Sequence, residues 1–288
     1  MASANEIRHR ISAVEQTRKI TGAMEMVSSN RMRRVSSHTE YNRLYFDHIR
    51  QAMREILDSA EGITHPYLTE RPEGRRTYIV ITGDKGLCGA YNASVLELAD
   101  QRLAEFPDAS LITVGNTAEE HYHRRGRIPD VSMLGIVQDP TMKAARRMSR
   151  MIMQLYDDNL TDEVHIVFTA FYDTLKNQPF ECRILPLVES DYLDRTDEAR
   201  EELIYSPSPQ AVLNEIVPQY ILGLLFGIMV QAYASEHYSR MNAMHSSTQN
   251  AGDMLKTLTT QYNMARQSAI TNELAEITGA AELLKEGG

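Results

Sequence analysis

Apolar residues near the start of the chain fall at Ile7, Ile11 and Val14 and again at Ile20, Met24 and Val27, with Thr17 and Thr21 on the same face. Steps of three and four are helical spacing, because 3.6 residues complete a turn. From Asn5 to about Ser59 there is no Pro and one Gly, Gly22, so a single long helix is predicted. It must end in "EGITHPYLTERPEG", where Gly62, Pro66, Pro72 and Gly74 forbid continuation. The middle of the chain changes period. The β-branched runs "TYIVIT", "SLITVG", "VSMLGIV", "EVHIVFTAF" and "ECRILPLV" alternate with helical stretches such as Asn92 to Phe106 and Thr141 to Tyr156. Beyond an acidic linker, Asp191 to Pro207, Ser208 and Pro209 supply an N-cap and a first-turn proline for a second long helix. Pro218 falls in its first turns and predicts a kink or restart.

Strands separated by helices of this length predict βαβ units and a mostly parallel, Rossmann-like sheet, with the last two runs close enough for an antiparallel edge. Farther on, Met241, Met244, Thr248, Ala251, Leu255, Leu258, Tyr262, Ala265 and Ala269 form a heptad seam, which calls for a helical partner. A stripe packed on a globular core is the other reading of that spacing. Two long helices bracket one compact domain, and the simplest closure pairs them. The expected fold is therefore α+β: a long antiparallel coiled coil of N- and C-terminal helices (residues 1–59 and 208–288) with an inserted Rossmann-like α/β domain (76–190). At 1.5 Å per residue the first helix spans roughly 80 Å and the last well over 100 Å. The C-terminal end, from about Tyr262, should then project alone. Its apolar Ile270, Leu274, Ile277 and Leu283 imply an external partner.

Composition refines this outline. The chain has 288 residues, 42% hydrophobic, and a formal charge of −9, which argues against a dedicated nucleic-acid binder. Charge is nonetheless uneven, because the first 34 residues carry seven Lys and Arg against three acids. Cys88 and Cys182 stand far apart in no metal-ligand spacing, which suits unpaired thiols in a reducing compartment. The N-terminus shows no apolar core followed by a cleavage site, which argues against secretion. The apolar run Tyr220 to Val230 is shorter than the ~20 residues a bilayer span needs and contains two glycines, so it predicts a buried helix segment.

Candidate chemistry centres on "GDKGLCGAYN", Gly83 to Asn92. A phosphate-binding loop needs G-x-x-x-x-G-K-[ST], and here the Lys is misplaced and the hydroxyl missing. Gly83-Asp84-Lys85 also breaks the dinucleotide fingerprint. The expectation is a tight turn between strand and helix. "HYHRRGR", His121 to Arg127, has no matching ligands elsewhere and reads as a solvated loop. No nucleophile elbow, metal-binding H-x-x-x-H or clustered carboxylate pair occurs, so no catalytic, cofactor-binding or metal residue is expected.

Three stretches carry a family resemblance. "IRHRISAVEQTRKITGAMEMV" (Ile7 to Val27), "GDKGLCGAYN", and "ASEHYSRMNAM" (Ala234 to Met244) followed by "YNMARQSAITNELAEITGA" (Tyr262 to Ala280) resemble the γ subunit of F-type ATP synthase. The resemblance implies a non-catalytic central rotor, with the coiled coil inside a ring of three α and three β subunits. The α/β domain would rest on the c-ring with ε. It implies no cofactor, no nucleic acid and no small-molecule substrate of its own. It also implies a place on the cytoplasmic face of the bacterial inner membrane, as part of the synthase. Arg8, Arg10, Lys19 and Met24 lie in the matching N-terminal motif, whose basic residues would meet acidic loops on β. Arg266 and Gln267 would engage a β loop, while Arg240, Thr271, Glu273 and Glu276 would support the coiled coil and coupling.

This chain departs from the family pattern at Ile221 to Ala232, which is unusually apolar, and at Gln249, where Asp is common. It lacks the plant-type redox insert. On the residues alone two other readings stay open: a nucleotide-binding Rossmann-like enzyme with coiled-coil arms, and a basic helical arm for nucleic acid.

Overall fold

The computed structural model describes residues 4–59, 65–72, 74–171, 177–187 and 205–286. The linker residues 191–204, residues 188–190 of the expected α/β domain and the Leu283 side chain lie outside what is described. The elements run α1 (Ala4–Ser59), β1 (Arg76–Ile81), α2 (Tyr91–Glu105), β2 (Ser110–Val114), α3 (Asn116–Arg124), β3 (Val131–Met133), α4 (Met142–Asp157), β4 (Glu163–Phe171), β5 (Asn177–Leu185) and α5 (Pro209–Glu286). Contacts divide the chain into a terminal unit, residues 1–27 with 241–288, and a lobe unit, residues 28–240.

In the lobe the five strands are ordered β3-β2-β1-β4-β5. The first four pair in parallel and β5 runs antiparallel to β4, the expected mixed sheet. Alternation along the strands makes two cores. Ile79, Ile81, Ile112, Val114, Val164 and Ile166 face α4, the Met53–Ile56 turn of α1 and the apolar start of α5. Tyr78, Val80, Leu111 and Val167 face α2 and α3. The run Ile221 to Val230 is buried in the first core, as its length predicts.

Local chemistry explains most boundaries. Ser208 Oγ accepts from the Ala211 N–H at 3.2 Å, capping α5 ahead of Pro209. Thr141 caps α4 in the same way through Ala144 N–H. Two expectations are corrected. Helix α5 passes through Pro218 without a restart. The carbonyl that Pro218 deprives of a donor belongs to Asn214, an exposed residue. His121 to Arg124, expected as loop, form the last turn of α3, where His121 Nε2 lies 3.0 Å from Asp100 on α2.

In the terminal unit the two helices run antiparallel. Thr21 receives a hydrogen bond from Thr248 at 2.7 Å, and Glu25 meets His245 at 2.9 Å, so ascending α1 meets descending α5. Ile7, Val14 and Thr21 turn inward at strict sevens, whereas Thr17, Ile20 and Val27 are exposed. The expected first-helix face is thus corrected at Thr17, Ile20 and Val27, while Thr21 keeps its place on it through the bond from Thr248. On α5 the seam holds from Met244 through Ala265 and has ended by the exposed Ala269.

Gly115 joins β2 to α3 with φ +97°, and a Cβ there would sit 2.2 Å from the Thr82 carbonyl oxygen. Gly115→Ala is expected to cost about 2–4 kcal/mol in urea unfolding of the purified chain. Gly126→Ala, where φ is +75° but nothing lies within 4 Å, should cost only about 1 kcal/mol.

Candidate functional site

The glycine turn closes on itself at the C-terminal end of β1. Gly83 N–H donates to Asn92 Oδ1 at 2.8 Å, and its carbonyl accepts from Thr117 N–H. Asn92 Nδ2 reaches back to the Lys85 carbonyl and to Cys88 Sγ, each at 3.4 Å. Asp84 Oδ1 accepts from Asn116 N–H at 3.0 Å. Burial pushes the Cys88 thiol up, so it stays protonated.

A phosphate cradle presents converging N–H groups to its ligand. Here the groups turned toward α5 are carbonyls, those of Lys85 and Gly86, and both accept from Arg240 Nη2 at 3.2 and 3.3 Å. The same nitrogen pairs with Glu236 Oε1 at 2.6 Å, both side chains being nearly fully buried. Glu236 fits only because residue 83 lacks a side chain, since a Cβ there would lie 2.8 Å from the Glu236 carboxyl carbon.

His237 completes the cluster. Arg240 Nη1 lies 3.3 Å from its Nδ1, and a guanidinium can only donate, so Nδ1 is an acceptor and the ring is neutral. Burial, with the charges of Arg240 and Arg31, pushes the His237 pKa down to about 3. Burial moves Glu236 the other way, upward, against the pull of Arg240. A cavity of about 70 Å³ opens here, lined by Arg31, Asp84, Lys85 and Gln138 beside these three.

Two further bonds tie α5 to the lobe, one to β4 and one to α2. Ser235 Oγ donates to the Thr169 carbonyl on β4 at 3.1 Å, and Tyr91 Oη donates to the Ala232 carbonyl at 3.1 Å. Strands β1 and β4 are neighbours, while the chain leaves β1 for β2 on the other side. That is the topological switch point, where open α/β sheets bind their ligands. In this lobe the crevice is filled by α5, and the nucleotide-enzyme reading loses its site.

Of the ten residues given a contact or coupling role in the sequence, Arg240 alone lies in this cluster. Arg8, Arg10 and Lys19 are exposed on α1, Arg10 pairing with Glu6 at 2.9 Å, and Met24 is half-buried. Arg266, Gln267, Thr271, Glu273 and Glu276 lie together on successive exposed turns of α5, with Thr271 Oγ1 donating to the Gln267 carbonyl at 2.9 Å. Every described side chain from Arg266 to Thr278 is exposed, including Ile270, Leu274 and Ile277. The unpaired end thus begins at Arg266, one turn later than expected. Sequence reasoning missed Tyr91, Asn92, Ser235, Glu236 and His237. One signal was available: Glu236 and Arg240 stand four apart just after the apolar run Tyr220 to Val230.

A profile of the ATP synthase family matches residues 3–284. The ATP synthase gamma chain of Alkaliphilus metalliredigens is 37% identical over 283 residues, covering 97% of this chain and 98% of that one. The sodium ion specific gamma chain of Acetobacterium woodii is 32% identical over 298 residues, covering 98% and 99%. Among solved structures, a chain of the Euglena gracilis mitochondrial ATP synthase (OSCP/F1/c-ring, rotational state 3) shares the fold with a TM-score of 0.70 at 15% identity, covering 99% of this chain and 95% of that one.

Arg240→Met is expected to destabilise the purified chain by about 3–5 kcal/mol in denaturant unfolding, because Glu236 and two loop carbonyls lose their buried donor. The folded state keeps His237 neutral while the unfolded chain takes up its proton below about pH 6.5. Its contribution to stability is therefore full above pH 6.5 and is lost as pH falls toward about 3. Unfolding titrations should show His237→Gln removing up to one proton of slope in that window, about 1.4 kcal/mol per pH unit.

Proposed function

The chain belongs to the ATP synthase gamma-chain family, and on that premise we propose how it works as the non-catalytic central-stalk rotor of the complex. The observation that carries the mechanism is the antiparallel pairing of the two termini, with α5 continuing exposed beyond Ala265. Residues 1–59 and 208–288 supply the long helices of the shaft, and 76–190 form the α/β domain at the centre of the lobe. The shaft turns inside the α and β ring while the lobe engages ε and the c-ring. The complex sits on the membrane's cytoplasmic face. This chain makes and breaks no bond. It presents a different face to each of three equivalent catalytic sites, and an equilibrium shifts only where contacts differ between its states.

The exposed groups supply such differences. Arg8, Arg10 and Lys19 offer cations to acidic loops of β, beside the half-buried Met24. Arg266 and Gln267 reach a β loop from the unpaired end of α5, with Thr271, Glu273 and Glu276 extending the same polar face. Ile270, Leu274 and Ile277 lie exposed on that stretch, and an apolar collar formed by the ring would cover them. Arg240 acts differently, holding α5 to the lobe from inside.

Replacing Arg266 and Gln267 together with Ala should leave the chain's own stability within about 0.5 kcal/mol, because both are exposed. Coupled ATP synthesis by the reconstituted complex should fall about tenfold, the effect of losing ~1.4 kcal/mol of contact. A purified chain that never associates with α and β would overturn the reading.

A further inference from the structure

From Leu213 to Ala234 the buried side chains of α5 are apolar or aromatic, but the next turns reverse that pattern. Ser235, Glu236, His237 and Arg240 are all buried, and Arg240 is the last residue of the lobe unit. Apolar packing is non-directional, so a helix held by it alone can rotate or slide slightly at small cost. Hydrogen bonds weaken steeply as their angle opens, so they resist such motion. Buried polar groups stabilise little against apolar replacements, and their best-attested role is to specify register.

We propose that residues 232–240 of α5 form a torsional latch, through which torque applied to the lobe enters the shaft helix. The latch rests on the rotor reading above. It has three separate anchors: Tyr91, in the first turn of α2, holds the Ala232 carbonyl; the Thr169 carbonyl of β4 holds Ser235; and the carbonyls of Lys85 and Gly86 in the glycine turn hold Arg240. Three points that do not share a line fix both the rotation and the axial position of a rod. Glu236 keeps Arg240 aimed, and Gly83 leaves room for Glu236. Tyr91, Ser235 and Arg240 are positioning residues. They touch no nucleotide, yet they set how stiffly the lobe drives the helix.

The test uses the assembled rotor complex fixed by its catalytic ring, with a bead attached to the lobe and its angular fluctuation recorded at a nucleotide-arrested dwell. Tyr91→Phe with Ser235→Ala removes the bonds to the Ala232 and Thr169 carbonyls and removes no charge. The variance should rise at least about twofold, since the remaining apolar contacts tolerate angular change. Ile221→Val trims buried packing of the same helix and should leave the variance at the wild-type value. Tyr91→Phe alone should give a smaller broadening, and it carries the test if the double variant does not assemble. Unchanged variance in a rotating Tyr91→Phe or double-variant complex overturns the latch and leaves the rotor reading intact. A wild-type lobe that does not turn at all overturns the rotor reading itself.

Discussion

A guanidinium held away from water, between a carboxylate and two loop carbonyls, is the contact around which this lobe is organised. Arg240 cannot shed its charge, so everything near it must supply acceptors. Glu236 supplies one at 2.6 Å and the glycine turn supplies two more. That demand accounts for the turn's conformation: its carbonyls face α5, and Asn92 satisfies the N–H of Gly83 from within. His237 is neutral because it is buried and has an arginine against its available lone pair. The fold keeps the strand-turn-helix of a nucleotide-binding protein but uses it to grip a helix.

Two physically different interfaces serve the same long helix. In the lobe, α5 first lies on a sheet face through large apolar side chains, then is fixed by directional bonds at Ser235 and Arg240. In the terminal unit its partner is a single helix, and the seam is thin, with Ile7, Thr21, Met244 and Ala251 as its buried members among the described residues. A hydroxyl pair, Thr248 to Thr21, sits inside that seam. A polar pair in a coiled-coil interior sets register at some expense of stability. Helices joined by so small a buried surface depend on what surrounds them, in keeping with a shaft enclosed by a ring.

Much of this architecture was readable from residue order. Spacings of three and four marked both long helices, and β-branched runs marked the strands, because period follows directly from backbone geometry. Ser208 and Pro209 announced the start of α5, since capping chemistry is local. The misreadings arose where a distant residue decided the outcome. Ile20 and Thr21 both looked like positions of one face, yet only Thr21 is buried, because Thr248 stands opposite it. Pro218 was read as a kink or a restart, and the restart does not occur, because apolar packing of Leu213, Val217 and Ile221 holds the helix on either side of it. His121 looked like loop, yet it leans on Asp100 of another helix.

The site divides along the same line. Sequence alone fixed what the glycine turn could not be, because a phosphate loop requires particular residues at particular offsets and Lys85 is out of place. It also determined that the C-terminal helix outruns its partner, since length counts residues. Only the tertiary structure could show that α5 fills the switch-point crevice, that Gly83 is required by a carboxylate 153 positions later, and that Arg240 grips the turn's carbonyls. Those contacts join segments far apart in the chain. No local pattern encodes them, because what selects each residue is the shape and charge of a neighbour that folding brings to it.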